Sequence, residues 1–452
     1  MAELHEECGV FGIYDANGNC ARSVYYGLYA LQHRGQEDCG IAAINNLELS
    51  YHKGPGLAGD VFSEAILDEL DGTMAIGHVR YGVDDSHRGA AQPLTLTYIK
   101  GSLAVAHNGS LVNSAELKLE YEHKGAVFHT STDSEVIAYV IAQARLCTNS
   151  IETAVSQAML SLRGAFSLVV MSSRKLIAAR DPWGFRPLCI GRKGDAIIFA
   201  SETCALDSVG AAFVRDVEPG EIVWVYDGEL RSNRDNCTGN ASLCIFEHIY
   251  FARPDSIIDG QSVYDSRILA GRYLAREHKI SADVVIGIPD SGLIAAKGYS
   301  LETGIPYNDG FIKNRYIGRT FIQPVQSSRE EAVKIKLNPL RATVSGKRVI
   351  VIDDSIVRGT NTVQIIKRVR EAGAKELHVL IASPKYISPC YFGTDIPSKS
   401  ELFACKYSTE EMRDAIGADT LGFLSLENLA KIAPDSKCAF CDACFTENYP
   451  VR

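Results

Sequence analysis

The stretch KRVIVIDDSIVRGTNT, residues 347–362, constrains this chain more than any other. Arg348 to Ile352 is an apolar, β-branched run of the length of a strand buried on both faces. It delivers Asp353 and Asp354 to the strand's carboxyl end, where parallel sheets place their ligands. In the loop SIVRGT that follows, Gly359 permits a tight turn, and Thr360 or Asn361 is placed to cap the next helix. That helix is expected from about Asn361 to Gly373, with Val363, Ile366 and Val369 on its apolar face and Gly373 suited to its end. Exposed N–H groups at a helix start attract anions, so a phosphate is expected in the loop. Two carboxylates beside a phosphate would repel it unless they face sugar hydroxyls or a metal on them.

The surrounding sequence has the same texture. ADVVIGIPDS reads as a strand and loop followed by the helix-like GLIAAKGYSLETG, and ELHVLIASP reads as a further strand. A parallel sheet covered by helices is the expected α/β arrangement. The first half differs. CGVFGIY, GIAAI, MAIGHVRY, SLAVAHNG, FSLVVMS, DAIIFASE and EIVWVYDG are short β-type runs separated by turns, with helices at SVYYGLYALQ and SEVIAYVIAQARL. That mix implies sheets packed with helices, an α+β domain. The polar segment LRSNRDNCTGNASLC marks the boundary, and 452 residues is ample for two or three domains.

Taken whole, residues 347–362 resemble the phosphoribosyl-pyrophosphate (PRPP) loop of type I phosphoribosyltransferases. The resemblance implies that Asp353 and Asp354 hold the ribose hydroxyls with Mg²⁺ nearby, one ion per subunit. Ser355 to Thr360, including Arg358 and Gly359, would hold the 5-phosphate. IGIPDSG resembles the pyrophosphate loop, with Ser291 toward the metal, and FIKNRYIGRTFIQP resembles a lid carrying Lys313, Arg315 and Arg319.

CGVFGIY, LQHRGQED, IGHVRYG, AHNGSLVN, STDSEVI and RDPWGFRPL extend the resemblance to the N-terminal-nucleophile (Ntn) glutaminase domain of the glutamine PRPP amidotransferase family. It covers nearly the whole chain, from about Cys8 to Phe445. The implied order is a propeptide at 1–7, an Ntn αββα sandwich at 8–235, a type I phosphoribosyltransferase domain at 245–400, and a C-terminal segment at 401–452. The implied activity is glutamine hydrolysis with transfer of ammonia to C1 of PRPP, giving 5-phosphoribosylamine, glutamate and pyrophosphate, the first step of purine synthesis. A mature N-terminal cysteine combines nucleophile and base, because its α-amine titrates near about 8. Cys8 would be that nucleophile once the leader MAELHEE is cut away. Arg80 would take the α-carboxylate of glutamine and Asp133 its α-ammonium. Asn108 and the Gly109 N–H would form the oxyanion hole. The chain departs from the family pattern at Val83, at DDSHRGAA (84–91) and at Asp38-Cys39, all bearing on the glutamine pocket.

The tail Cys438-x₂-Cys441-x₂-Cys444 has metal-like spacing that suits zinc or an iron–sulfur cluster. The family resemblance implies one [4Fe–4S] cluster per subunit on Cys244, Cys390, Cys441 and Cys444, leaving Cys438 spare. GPGLAG, Gly54 to Gly59, satisfies G-x-G-x-x-G, but Pro55 removes an N–H and no βαβ unit surrounds it. A net charge of −9 with scattered Lys and Arg argues against nucleic-acid binding, and no run suits a membrane span. A cytoplasmic homo-oligomer, dimer or tetramer, inhibited by purine nucleotides is the resulting expectation. The rivals are a glutaminase serving another acceptor and a PRPP-binding regulator.

Overall fold

Turn-punctuated β runs in the first half build two stacked antiparallel sheets. The computed structural model describes residues 8–81, 91–314, 337–394 and 398–451. In chain order the strands are β1 (Gly9–Tyr14), β2 (Asp38–Asn45), β3 (Glu48–Pro55), β4 (Met74–Arg80), β5 (Leu94–Tyr98), β6 (Gly101–Asn108), β7 (Ser167–Ser172), β8 (Leu176–Arg180), β9 (Cys189–Lys193), β10 (Ala196–Ala200), β11 (Ala212–Asp216), β12 (Ile222–Tyr226) and β13 (Glu229–Asn233). One sheet runs β11–β9–β10–β1–β4–β2–β3 and the other β13–β12–β8–β7–β6–β5. Alternation along each strand sends Val10, Ile76, Ala104, Val169 and Val223 into the layer between them. The opposite faces are covered by helices. α1 (Cys20–Ala30) buries Val24 and Leu28 on the first sheet, and α2 (Asp133–Cys147) and α3 (Ile151–Met159) bury Ile137, Ile141 and Val155 on the second. The result is the helix–sheet–sheet–helix sandwich that the sequence implies.

After β14 (Ser242–Cys244) comes the α/β unit. Its sheet is β15 (Val284–Gly287), β16 (Arg348–Asp353), β17 (Glu376–Ile381) and β18 (Thr420–Phe423), all parallel. Strand β16 is buried on both sides. Ile350 and Ile352 pack with α4 (Val263–Glu277) and α5 (Gly292–Thr303), while Val349 and Val351 pack with α6 (Thr360–Glu371). Two details of α6 differ from expectation. Its N-cap residue is Gly359, at φ 78°, and not Thr360 or Asn361. Its buried stripe is Thr362, Ile365, Ile366 and Val369, with Val363 only half-buried.

The last strand, β19 (Ala439–Cys441), pairs in parallel with β14 and so returns the tail to the boundary between the halves. Immediately after β14, Glu247–Phe251 forms a π-helical turn, a geometry frequent at functional sites. Among the described residues no helix is long and apolar enough to cross a membrane.

Candidate active sites

The pairing of Gly9 with Val79 sets Cys8 at the register position beside Arg80, at the end of β4. Arg80 is buried, and its Nη1 donates to Asp38 Oδ2 at 3.0 Å. Asp38 thus acts on the arginine rather than standing idle in the pocket. In the facing sheet β6 ends at Asn108. His78 Nε2 donates to the His107 carbonyl at 3.0 Å, tying the two sheets together just there. Burial pushes His78 down to about 3, so the ring is neutral.

Asn108 is fully buried, and neither its Nδ2 nor its Oδ1 has a hydrogen-bond partner. Leaving a buried polar group unmatched costs about 1–3 kcal/mol, so an amide held this way points to a ligand. Gly109 adopts φ 132°, and a Cβ there would lie 2.2 Å from the Ala165 carbonyl oxygen, so only glycine fits. Asp133 opens α2 and accepts from Leu111 N at 2.7 Å and Ser110 Oγ at 3.0 Å, closing the 108–111 turn. Cys8, Arg80, Asn108, Gly109 and Asp133 therefore belong to strand ends and a turn at one edge of the sandwich. The leader Met1–Glu7, Val83 and residues 84–90 lie outside the described residues.

At the other site Asp353 and Asp354 end β16, 9% and 7% exposed. Burial, then the neighbouring Asp354, pushes Asp353 well above the ordinary carboxylate range. Burial raises Asp354 too, against hydrogen bonds from Ser291 Oγ and Ser355 Oγ. A pair that resists ionising side by side is suited to a cation or to hydroxyl donors, and its hard oxygens match Mg²⁺. Ser291 immediately precedes α5, which brings the pyrophosphate-loop sequence against the aspartates. Gly359 could bear no side chain: its Cβ would lie 2.8 Å from the Phe403 ring. Arg358 pairs with Glu401 at 2.7 Å, Thr360 starts α6, and Lys313 pairs with Asp290. Arg315 and Arg319 lie outside the described residues.

Cys244, Cys390, Cys441 and Cys444 line one cavity together with Phe185, Tyr386 and Phe392. Cys438 is not among its lining residues. The β14–β19 register sets Cys244 opposite Cys441, and Cys444's carbonyl accepts from Ile387 N and Ser388 N, bringing in the Cys390 segment. Burial pushes Cys441 up to about 12 and Cys244 and Cys444 higher still. Among the described residues no three His, Cys, Asp or Glu side chains are arranged to hold a single metal ion. Four soft thiolate ligands around one chamber suit zinc or an iron–sulfur cluster.

Residues 78–208 match the glutamine amidotransferase domain family, and residues 262–403 match the phosphoribosyl transferase domain family. The chain is 49% identical to the amidophosphoribosyltransferase of Methanocaldococcus jannaschii, over 98% of each protein. The chain belongs to the amidophosphoribosyltransferase family. The Bacillus subtilis member is 48% identical, over 99% of this chain and 95% of that one. A solved structure titled glutamine PRPP amidotransferase from B. subtilis, complexed with ADP and GMP, aligns with TM-score 0.91 at 48% identity, covering 98% of both chains. The matched segments fall on the sandwich and on the parallel sheet, as amidophosphoribosyltransferases of this two-domain order require.

Several buried polar residues near these sites escaped sequence reasoning. Arg267 on α4 donates to the carbonyls of His248, Tyr250 and Ala252 at 3.0, 2.9 and 2.8 Å. With Ser291 and Asp354 it lines a small cavity. Its one sequence signal is an arginine at a core-facing position of an otherwise amphipathic helix. Arg34, Arg186 and Glu202 sit inside quoted motifs, yet nothing in spacing marks them as partners.

Proposed function

We propose that this amidophosphoribosyltransferase makes 5-phosphoribosylamine from glutamine and PRPP. Two sites on one chain carry that reading, and the observation that weighs most is the buried, unpartnered amide of Asn108. The Cys8 thiol attacks the side-chain amide carbon of glutamine, its proton passing to the α-amine of a mature N-terminus. Asn108 and the Gly109 N–H stabilise the oxyanion, while Arg80 and Asp133 hold the amino-acid end. Ammonia leaves, water cleaves the thioester to glutamate, and ammonia displaces pyrophosphate from C1 of PRPP. Asp353 and Asp354 orient the ribose. Ser355, Arg358, Gly359 and Thr360 hold the 5-phosphate, and Lys313, Arg315 and Arg319 supply cations that offset the charge of the departing pyrophosphate.

Ser291, Asp353 and Asp354 would hold Mg²⁺, which when bound offsets pyrophosphate charge. Cys244, Cys390, Cys441 and Cys444 would hold a [4Fe–4S] cluster that ties the tail to both halves. Removal of Met1–Glu7 frees the Cys8 nitrogen. Purine nucleotides act as inhibitors of a homo-oligomer, a reading supported by the relative complexed with ADP and GMP. Among the described residues no two cysteines form a disulfide, which supports a reducing compartment, the cytoplasm.

The test is glutamate release with and without PRPP, alongside pyrophosphate production. PRPP should stimulate release, with pyrophosphate formed in step. Unstimulated release without pyrophosphate would overturn the reading and favour another acceptor. Absence of any release would favour a regulator.

A further inference from the structure

Four buried charged side chains join the two halves of the molecule. Arg34 follows α1, Arg186 lies in RDPWGFRPL, Glu202 follows β10, and Glu247 opens the π-helical turn. All four side chains are 0% exposed. Arg34 Nη2 donates to both oxygens of Glu247, at 2.7 and 2.8 Å. Its Nη1 bridges Glu247 Oε2 at 3.0 Å and Glu202 Oε1 at 2.9 Å. The Nε edge of the same guanidinium reaches the carbonyl oxygen of Cys8 at 3.3 Å. On its far side Glu247 accepts from Arg186 Nη1 at 3.4 Å, and Arg186 Nη2 donates to the Phe392 carbonyl at 2.8 Å, on the wall of the cysteine chamber.

Glu202 is anchored independently. It accepts from Ser256 Oγ at 2.6 Å and Arg253 N at 2.9 Å and pairs with His33 at 2.7 Å. Burial alone would raise its pKa, yet His33 and Arg34 hold it far below the carboxylate range. Two arginines and two glutamates cancel in charge. Such a buried network is a weak source of stability, since apolar residues of similar volume usually serve as well or better. What apolar residues could not do is hold a carbonyl in place, and the carbonyl held belongs to the nucleophile.

We propose that Glu247 is a positioning residue for glutamine hydrolysis. Contributed from beyond the sandwich, it fixes the Arg34 guanidinium, which fixes the backbone of Cys8 and so the place from which the thiol attacks. The inference rests on the reading of Cys8 as nucleophile. Misplacing a reacting group by about 1 Å can cost on the order of 10²-fold in rate, so the effect should be large.

The test compares the full-length enzyme with Glu247→Gln and Glu247→Asp in two assays. One measures glutamate release with PRPP present, and the other measures amination of PRPP by ammonium salts without glutamine. Glu247→Gln should lower kcat for glutamine hydrolysis at least about tenfold, with KM for glutamine within about twofold because Arg80 and Asp133 are untouched. Its ammonia-dependent kcat should stay within about twofold of the parent's. Glu247→Asp, which keeps the charge, should recover part of the lost kcat. Parallel losses in both assays, misfolding included, would show a merely structural role and overturn the proposal. So would an unchanged hydrolytic kcat, or an aspartate variant no better than the glutamine one. Failure of the functional reading would appear separately, as a parent enzyme that releases no glutamate.

Discussion

Replacing Asn108 by alanine separates function from architecture at the glutaminase site. Its amide is fully buried with both polar atoms unmatched, so it contributes no hydrogen bond to the resting fold. Truncation relieves a penalty of about 1–3 kcal/mol per unmatched group. The space vacated, on the order of 35 Å³, costs about 1 kcal/mol at about 24 cal/mol per Å³. The relief matches or exceeds the cavity cost, so the thermal midpoint should be unchanged or raised, not lowered. Catalysis has no such compensation. Loss of one oxyanion donor typically lowers kcat by about 10²–10³-fold, or about 3–4 kcal/mol. The assays are steady-state glutamate release with saturating PRPP, ammonia-dependent amination as the control for the second site, and calorimetry for the midpoint. Hydrolysis reduced less than about tenfold would refute the oxyanion role. A midpoint lowered by many degrees would refute the premise that the amide is structurally idle.

Gly109→Ala should be far worse for the fold than Asn108→Ala, because its Cβ would lie 2.2 Å from the Ala165 carbonyl at φ 132°; a soluble variant with an unshifted midpoint would contradict the geometry. His78 is held neutral, near about 3 when folded against 6.5 unfolded, so the unfolded chain binds the extra proton. Its contribution is therefore whole above pH about 6.5 and is lost as pH falls toward 3, at most about 1.4 kcal/mol per unit. The difference in stability between parent and His78→Gln should shrink across that window, and a pH-independent difference would count against burial as the cause. Cys390→Ser, purified without oxygen, should lose broad visible absorbance near about 400 nm together with bound iron; retention of both would exclude Cys390 as a cluster ligand.

Much of this molecule was legible because its chemistry is local in sequence. Asp353, Asp354 and Gly359 lie within one strand–loop–helix, and β16 and α6 fall within one or two residues of expectation. The exception is the start of α6. A Thr-Asn pair suggested a side-chain cap, but the N-cap residue is Gly359, in the left-handed region and without a side chain. The glutaminase residues were readable as motif members, whereas the partners that hold them were not. Arg34 and Glu247 are 213 residues apart, and nothing in either segment encodes that contact. Asp38 looked like a departure from pattern and proves to be the partner of Arg80.

The parallel pairing of β14 with β19 has a consequence for the order in which the enzyme is made. Cys441 and Cys444 are made after the sandwich and the parallel sheet, yet they line the chamber whose wall includes Phe392, to which Arg186 is bonded. A nascent chain with its sandwich already folded still lacks the turn that supplies Glu247 to Arg34. Under the proposed role of Glu247, the sandwich by itself would hydrolyse glutamine more slowly than a chain that also carries that turn.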